Sequence, residues 1–494
     1  MNIGRTALSA TLAVSLAACG GGGGSTPPPT QGGGGGTPTP PPTATCSLSQ
    51  QQTFADSVLN EWYLFPNLLD NTVNKANFTT LQGYLDARVA PAAQQNRDRG
   101  FTYATSIAEE NALINSGASA GIGIRLTYDT VNNRVFVVEA YENTPGFAAG
   151  MDRGTELLAI GNSSSNLQSV ATLMATGGPQ AVSNALGPST AGTTRVIRFA
   201  QAGGAVLERS ITKTEYSIDP LSDRYGALIL NDGGKKVGYI NLRTFIVGTA
   251  DRQLVTAYQN FASQGVTEFI IDLRYNGGGL VRIAELMGDL MRDSNTGKVF
   301  SRTLYNPNKT SENSTDFFDA TARFLNPQTG QLGSPEAIPA VNPVKIAFIG
   351  REGTASASEL LINSMIPYVA PSNFALVGRN TFGKPVGQNA FDLSSCDLRL
   401  RAMTFQTVNA AGQGEYFNGL ASVVPNTCLA GDDITRQFGD PAEASIATAL
   451  AFLRGQTCTP ISGGAGQSAQ SVGGRKLLQP SEPTAAQYEI PGLF

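Results

Sequence analysis

None of the 494 residues is histidine. A Ser–His–Asp triad, a Cys–His dyad and every His-ligated metal site are therefore excluded. Acid–base chemistry at neutral pH is left to Lys, Asp, Glu, Tyr or Cys. Charge is also scarce, at 15% Asp, Glu, Lys and Arg with a net charge of −4. The Lys and Arg residues are scattered without a basic run, so no nucleic-acid partner is expected. No cofactor or metal is expected either. The apolar run from Ala7 to Ala18 is too short to span a membrane comfortably. What is abundant is glycine, 56 residues, with 27 prolines, which predicts long flexible stretches. A hydrophobic content of 41% supplies genuine cores, and the length predicts two or three domains.

Residues 1–19 have the form of a secretion signal, with Arg5 as the positive region ahead of the apolar run. The run ends Leu16-Ala17-Ala18-Cys19, which resembles the lipobox of bacterial lipoproteins. That resemblance implies that Cys19 is lipidated, becomes the mature N-terminus and anchors the chain to a membrane. Gly20 in place of an Asp implies the outer membrane, facing the periplasm or the cell surface. Residues 20–45, almost wholly Gly, Pro, Thr and Ser, cannot bury a core and form a tether spanning about 25–30 Å. Cys46, Cys396, Cys428 and Cys458 remain, an even number that predicts two disulfides in an exported protein. Of three pairings, Cys396–Cys428 is favoured because both lie near the ends of one β-rich segment, leaving Cys46–Cys458.

Coarse patterning predicts an α+β multidomain chain. Phe54, Val58 and Trp62, then Leu81, Leu85 and Val89, recur at helical spacing and predict an N-terminal helical cap over 46–112, with its aromatics in the core. Over 118–212, Ile122, Ile124 and Leu126 alternate with small or polar residues, and strands are predicted at Val135–Val138 and Arg195–Phe199, with a short helix from Pro179 to Leu186. This order resembles a PDZ domain of the bacterial protease type. Gly121-Ile122-Gly123-Ile124 matches the carboxylate-binding loop, where small residues let successive N–H groups face a terminal carboxylate. Glu156 and the Gly161-Asn162 turn depart from that pattern away from the groove. Over 213–458 strands and helices alternate, as in a β/α core. The polar stretch 301–343 is expected to be an insertion at the rim, over the site. Residues 459–494 are expected to be a disordered tail.

Three short segments of the core carry chemistry. Asp272-Leu273-Arg274-Tyr275-Asn276-Gly277-Gly278-Gly279 ends a strand in a loop whose glycines let N–H groups point at a substrate oxygen. Gly353-Thr354-Ala355-Ser356-Ala357-Ser358-Glu359 links a strand to a helix, with small residues around Ser356 and helix N–H groups beside it; helix capping by Ser356 or Ser358 is the alternative. Thr381-Phe382-Gly383-Lys384-Pro385-Val386-Gly387-Gln388 places a lysine among small and apolar residues. Together, in this order, they resemble the C-terminal processing, or tail-specific, serine proteases over roughly residues 118–455. The resemblance implies a crotonase-like protease core, Ser356 as nucleophile, Lys384 as general base, Gln388 as the residue positioning the lysine, and Gly278 (or Gly277) with Ala357 as oxyanion donors. Pro385 in place of a glycine, and a Ser-to-Lys spacing longer by residues assigned to the 366–371 loop, depart from the family.

A lysine base must be neutral to accept a proton, which requires burial to lower its pKa from about 10.4. The expected function is cleavage of exported proteins or peptides with flexible C-termini. The competing expectation is a peptide-binding lipoprotein that keeps the fold without the chemistry. Finally, Ile490-Pro491-Gly492-Leu493-Phe494 is the kind of apolar end that PDZ grooves accept, so the tail is expected to dock in its own or a neighbouring copy's groove, inhibiting the enzyme or being trimmed.

Overall fold

The computed structural model describes residues 46–462 and 475–494. The predicted signal, Cys19, the tether and part of the tail lie outside the described residues. Among the described residues, no helix is long and apolar enough to cross a membrane.

The site is built on a six-stranded sheet, ordered Ala227–Asp232, Lys235–Asn241, Glu268–Asp272, Lys345–Gly350, Phe374–Gly378 and Thr427–Leu429. The first pair is antiparallel and all others are parallel. Parallel strands covered on both faces read as unbroken apolar runs, which is why Phe269-Ile270-Ile271 and Ile346-Ala347-Phe348-Ile349 are continuous. Alternate side chains serve opposite cores. Phe269, Ile271, Ile346 and Phe348 pack with the helices Ala250–Ser263, Val281–Leu290 and Ala357–Met365. Ile270, Ala347, Ile349 and Val377 pack with Ala444–Leu453 on the other face. The three chemistry-bearing loops leave the carboxyl ends of three adjacent strands, Glu268–Asp272, Lys345–Gly350 and Phe374–Gly378. That is where an open α/β sheet leaves a crevice.

The expected N-terminal helices are present, and they share their core with another part of the chain. Helices Leu48–Trp62 and Leu81–Gln94 share one apolar cluster with Val386, Leu400, Ala402 and Met403, which belong to the hairpin Val386–Leu393/Leu398–Val408. Two helices alone have too little facing surface to bury their stripes, and the hairpin supplies it. The 301–343 stretch also differs from expectation. It begins inside strand Val299–Tyr305, paired to Leu398–Val408, and buries Phe318, Phe324, Ile338 and Val341 in the main core. None of it lines the cleft described below.

A seven-stranded sheet contains Ile124–Asp129, Arg134–Ala140, Glu156–Gly161, Thr194–Ala200 and Val206–Thr212, with helix Val170–Leu186 against it. Its outermost strand on one side is Lys476–Leu477, from the tail. Residues 475–494 are thus folded rather than disordered, because Leu478, Ile490, Leu493 and Phe494 are buried; composition from 459 onward hid these few anchors. The disulfides also differ from the favoured pairing, being Cys46–Cys396 and Cys428–Cys458. Cys396 lies at the hairpin bend that packs on the first helix. Cys428 is on the last sheet strand, where the Leu429 N–H bonds the Thr459 carbonyl at 2.7 Å beside Cys458.

Candidate active site

A cavity of about 490 Å³ is lined by Ser356, Lys384, Gln388, Gly277, Gly279, Phe101 and Arg99 among others. Three segments spread over more than a hundred residues of sequence therefore line one cavity.

Ser356 occupies the turn between strand Lys345–Gly350 and helix Ala357–Met365 with φ 55° and ψ −118°. A non-glycine residue in that conformation costs of order 1–3 kcal/mol and survives only where its surroundings enforce it. Its N–H donates to Glu359 Oε2 at 3.2 Å. Ser358, the other serine considered, is fully buried and donates to the Asn276 carbonyl at 3.0 Å. It is a structural tie, and the half-buried Ser356 is the one that faces the cavity.

Lys384 is half-buried, reachable from the cleft, while its amine is shielded. Desolvation holds the amine below its ordinary pKa, opposed by the carboxylates of Glu489, Asp98 and Glu359. Nζ donates to Gln388 Oε1 at 2.9 Å and lies 5.0 Å from the centre of the Phe101 ring. The Gln388 amide nitrogen in turn bonds the Phe101 carbonyl. The altered loop before Lys384 is accommodated by two short 3-10 turns, Ile366–Tyr368 and Pro371–Asn373, ahead of the strand that delivers the lysine.

Gly278 is where expectation and structure part. Its N–H donates to Asn276 Oδ1 at 2.9 Å, and Asn276 is itself tied to the Leu242 carbonyl at 2.8 Å. In this conformation that N–H faces the loop's own side chain. The residue must nevertheless be glycine: φ is 107°, and a Cβ would lie 2.7 Å from Ser356 Cβ and 2.9 Å from the Ala357 nitrogen. Ala357, the other expected donor, begins the helix directly after Ser356.

Sequence reasoning missed the groups that hold these parts together. Glu359, fully buried, accepts N–H bonds from Gly383 and Lys384, both at 2.7 Å, as well as from Ser356. It joins the serine turn to the lysine loop. Burial raises its pKa despite these bonds. Arg99 donates to the Phe382 and Gly383 carbonyls at 2.8 and 2.6 Å and covers the Phe382 ring. Phe101 is fixed through the buried Asp98, which accepts its N–H at 2.7 Å and the Thr102 hydroxyl at 2.7 Å. Only Glu359 had a local signal, its position one turn into the helix; Arg99 and Phe101 come from a segment nearly 300 positions away. Asp272, at the start of the glycine-loop segment, forms a buried ion pair with Arg274 at 2.8 Å.

The loop 121–124 lies against the end of the tail. The N–H groups of Ile122, Gly123 and Ile124 converge on one oxygen, that of Phe494, at 3.1, 2.8 and 3.2 Å. Three of the four loop residues thus bond the tail, and Gly121 packs against it, where a Cβ would lie 2.8 Å from the Phe494 carbonyl carbon.

Residues 236–422 match the model of peptidase family S41, the segment that holds Ser356, Lys384 and Gln388. The chain is similar to carboxyl-terminal-processing proteases of Synechocystis sp. and Picosynechococcus sp., each 24% identical over 56% of this chain and over 56% and 57% of those proteins. It thus spans a little over half the length of the curated relatives it matches. Among solved structures it resembles a Bacteroides fragilis protein assigned to the S41 proteases, with 20% identity and a TM-score of 0.60 over 81% of this chain and 96% of that one. The mixed α/β fold is shared with that S41 protease structure.

Proposed function

We propose that the chain is an exported serine endopeptidase in which Ser356 is the nucleophile and Lys384 the general base. The observation that carries this reading is a desolvated lysine amine, oriented by Gln388, opening onto the same cavity as a strained serine at a helix N-terminus. Ser356 Oγ attacks the peptide carbonyl carbon as its proton passes to neutral Lys384 Nζ. The oxyanion takes the Ala357 N–H and one from the glycine loop; Gly278 first leaves Asn276, or its neighbour Gly277 serves. The C–N bond then breaks as the ammonium returns its proton to the leaving amine. Water hydrolyses the acyl ester by the same route in reverse, restoring Ser356 and neutral Lys384.

In this reading residues 46–112 form a helical cap, 118–212 a PDZ-like domain that presents chain ends to the cleft, and 213–458 the protease core. Cys19 carries a lipid that tethers the molecule through residues 20–45 to the bacterial outer membrane. The decisive experiment is cleavage of an unfolded protein by the native chain, Ser356→Ala and Lys384→Ala, with folding checked by circular dichroism. Both variants are expected to fold and to lose at least about 10³-fold in rate, since removing one member of a cooperating set removes most of its effect. Full activity in Lys384→Ala would eliminate this base.

A further inference from the structure

We propose that residues 475–494 are a resident plug: one segment that fills the peptide groove with Phe494 and walls one side of the Ser356 cleft with Tyr488, Glu489 and Pro491, so that an arriving chain end widens the cleft as it displaces the plug. What the opened cleft then does rests on the protease reading above; the occupancy does not.

At the groove, the tail adds to the edge of strand Ile124–Asp129. Phe494 N–H donates to the Ile124 carbonyl at 2.9 Å, and Leu126 N–H to the Gly492 carbonyl at 2.8 Å. Three N–H groups on one Phe494 oxygen suit a carboxylate, whose charge rewards several donors, better than a neutral amide. The Phe494 side chain, 2% exposed, joins the cluster of Ile122, Ile124, Val182 and Leu186. At the cleft, the Tyr488 ring stacks on Tyr103 with centres 4.0 Å apart, and Tyr103 OH donates to Glu489 Oε1 at 2.6 Å. The backbone there presses on the glycine loop: a Cβ on Gly277 would meet the Glu489 carbonyl at 3.0 Å and Pro491 Cδ at 3.1 Å. Tyr488, Glu489 and Pro491 line the same cavity as Ser356 and Lys384. Glu489 also favours the charged form of Lys384, the form that cannot take a proton.

Groove and cleft are held at a fixed separation. Arg243 pairs with Glu139 and Glu142, both at 2.7 Å, and Arg153 with Asp432 at 2.6 Å, across the two sheets. A segment docked in one opening is therefore held at the other. Within the plug, Gln479 Oε1 accepts the Gly492 N–H at 3.2 Å and the Gln487 amide nitrogen donates to the Leu493 carbonyl at 2.8 Å, so its two ends move together. A tethered ligand competes at high effective concentration, and the free groove is populated only in proportion to the open state.

The test uses the full chain and two altered forms, Phe494→Asp and a short Gly-Ser extension after Phe494. Binding of a labelled Tyr-Glu-Ile-Pro-Gly-Leu-Phe peptide is followed by anisotropy in a Ser356→Ala background, as free acid and as C-terminal amide. Cleavage of an unfolded protein is followed with Ser356 intact. Both altered forms should bind the acid about tenfold more tightly than the native chain, bind the amide weakly, and cleave about tenfold faster. Added Gly-Leu-Phe acid, which reaches the groove alone, should raise cleavage by the native chain. Equal binding and equal cleavage in all three forms would overturn the plug and leave the protease reading standing. Tighter binding in the altered forms with no cleavage by any form would sink the protease reading and leave the plug. Should Phe494→Asp fail to fold, the extended form decides, because every native residue is retained.

Discussion

Two glycine loops of this molecule, one against the tail and one at the cleft, belong to regions that each hold a desolvated lysine amine. In the groove, the N–H groups of Ile122, Gly123 and Ile124 all point outward to one oxygen. In the cleft, the Gly278 N–H turns inward to Asn276. The lysines differ in the same sense. Lys213, 1% exposed, gives its amine to the carbonyls of Gly187 and Pro188, both at 2.9 Å, past the end of helix Val170–Leu186. Burial pushes its pKa down to about 8, yet the amine is fastened to the backbone. Lys384 is held by a single side-chain amide and borders open space. Similar parts yield an amine fastened to two backbone carbonyls in one region and, in the other, an amine held by one side chain at the edge of a cavity. The difference lies in the partners, not in the residue types.

The comparison can be broken most severely at the cleft. Gly278→Ala places a methyl against Ser356 and is expected to cut cleavage by about 10²–10³-fold, the scale of a lost oxyanion donor, while peptide binding at the groove persists; lost binding instead would mean that the two loops are not independent. Next is pH. Because the folded pKa of Lys384 is lowered, the neutral amine becomes more abundant as pH rises, so kcat/KM should climb about tenfold per pH unit and level off before about pH 10.4. A profile that falls over this range would assign the base elsewhere. At the groove, Gly123→Ala sets a Cβ 2.3 Å from Thr144 at φ 78°. It should weaken binding of acid-ended peptides by about tenfold or more, since the three N–H groups no longer converge, with cleft chemistry measured on a short peptide ester left intact. The smallest effect concerns Lys213. Its folded pKa lies below that of the unfolded chain, so the unfolded chain binds the extra proton between about pH 8 and 10.5 and stability rises with pH through that window. Lys213→Met should flatten that rise by a few degrees of Tm, roughly 1–2 kcal/mol.

Much of the site was legible because its residues are written in short local strings. A strand ending in Asn276-Gly277-Gly278-Gly279, a serine among small residues before a helix, and a lysine between Gly383 and Pro385 each declare a backbone requirement. The sheet was legible for a similar reason, since strands buried on both faces are unbroken apolar runs. The clamps were not legible. Arg99 and Phe101 carry no pattern of their own and acquire meaning only where the lysine loop is folded against them. The disulfides failed for the same reason: proximity to one β-rich segment said nothing of which cysteine faces which. The tail misled because the Gly, Ser and Gln of 463–474 outweigh, in composition, the few apolar anchors beyond them.

By itself, the sequence determined that no histidine takes part, that a β/α sheet delivers three loops to one edge, and which serine and lysine those loops carry. Period-two and period-3.6 patterns and glycine's dihedral freedom are local properties, and they survive without knowledge of the rest. Only the tertiary structure decided that Glu359 ties the serine turn to the lysine loop, that the Gly278 N–H is already engaged, and that Phe494 fills the groove. Those are outcomes of competition among distant groups for the same few donors and the same buried surface, and a linear string does not record who wins.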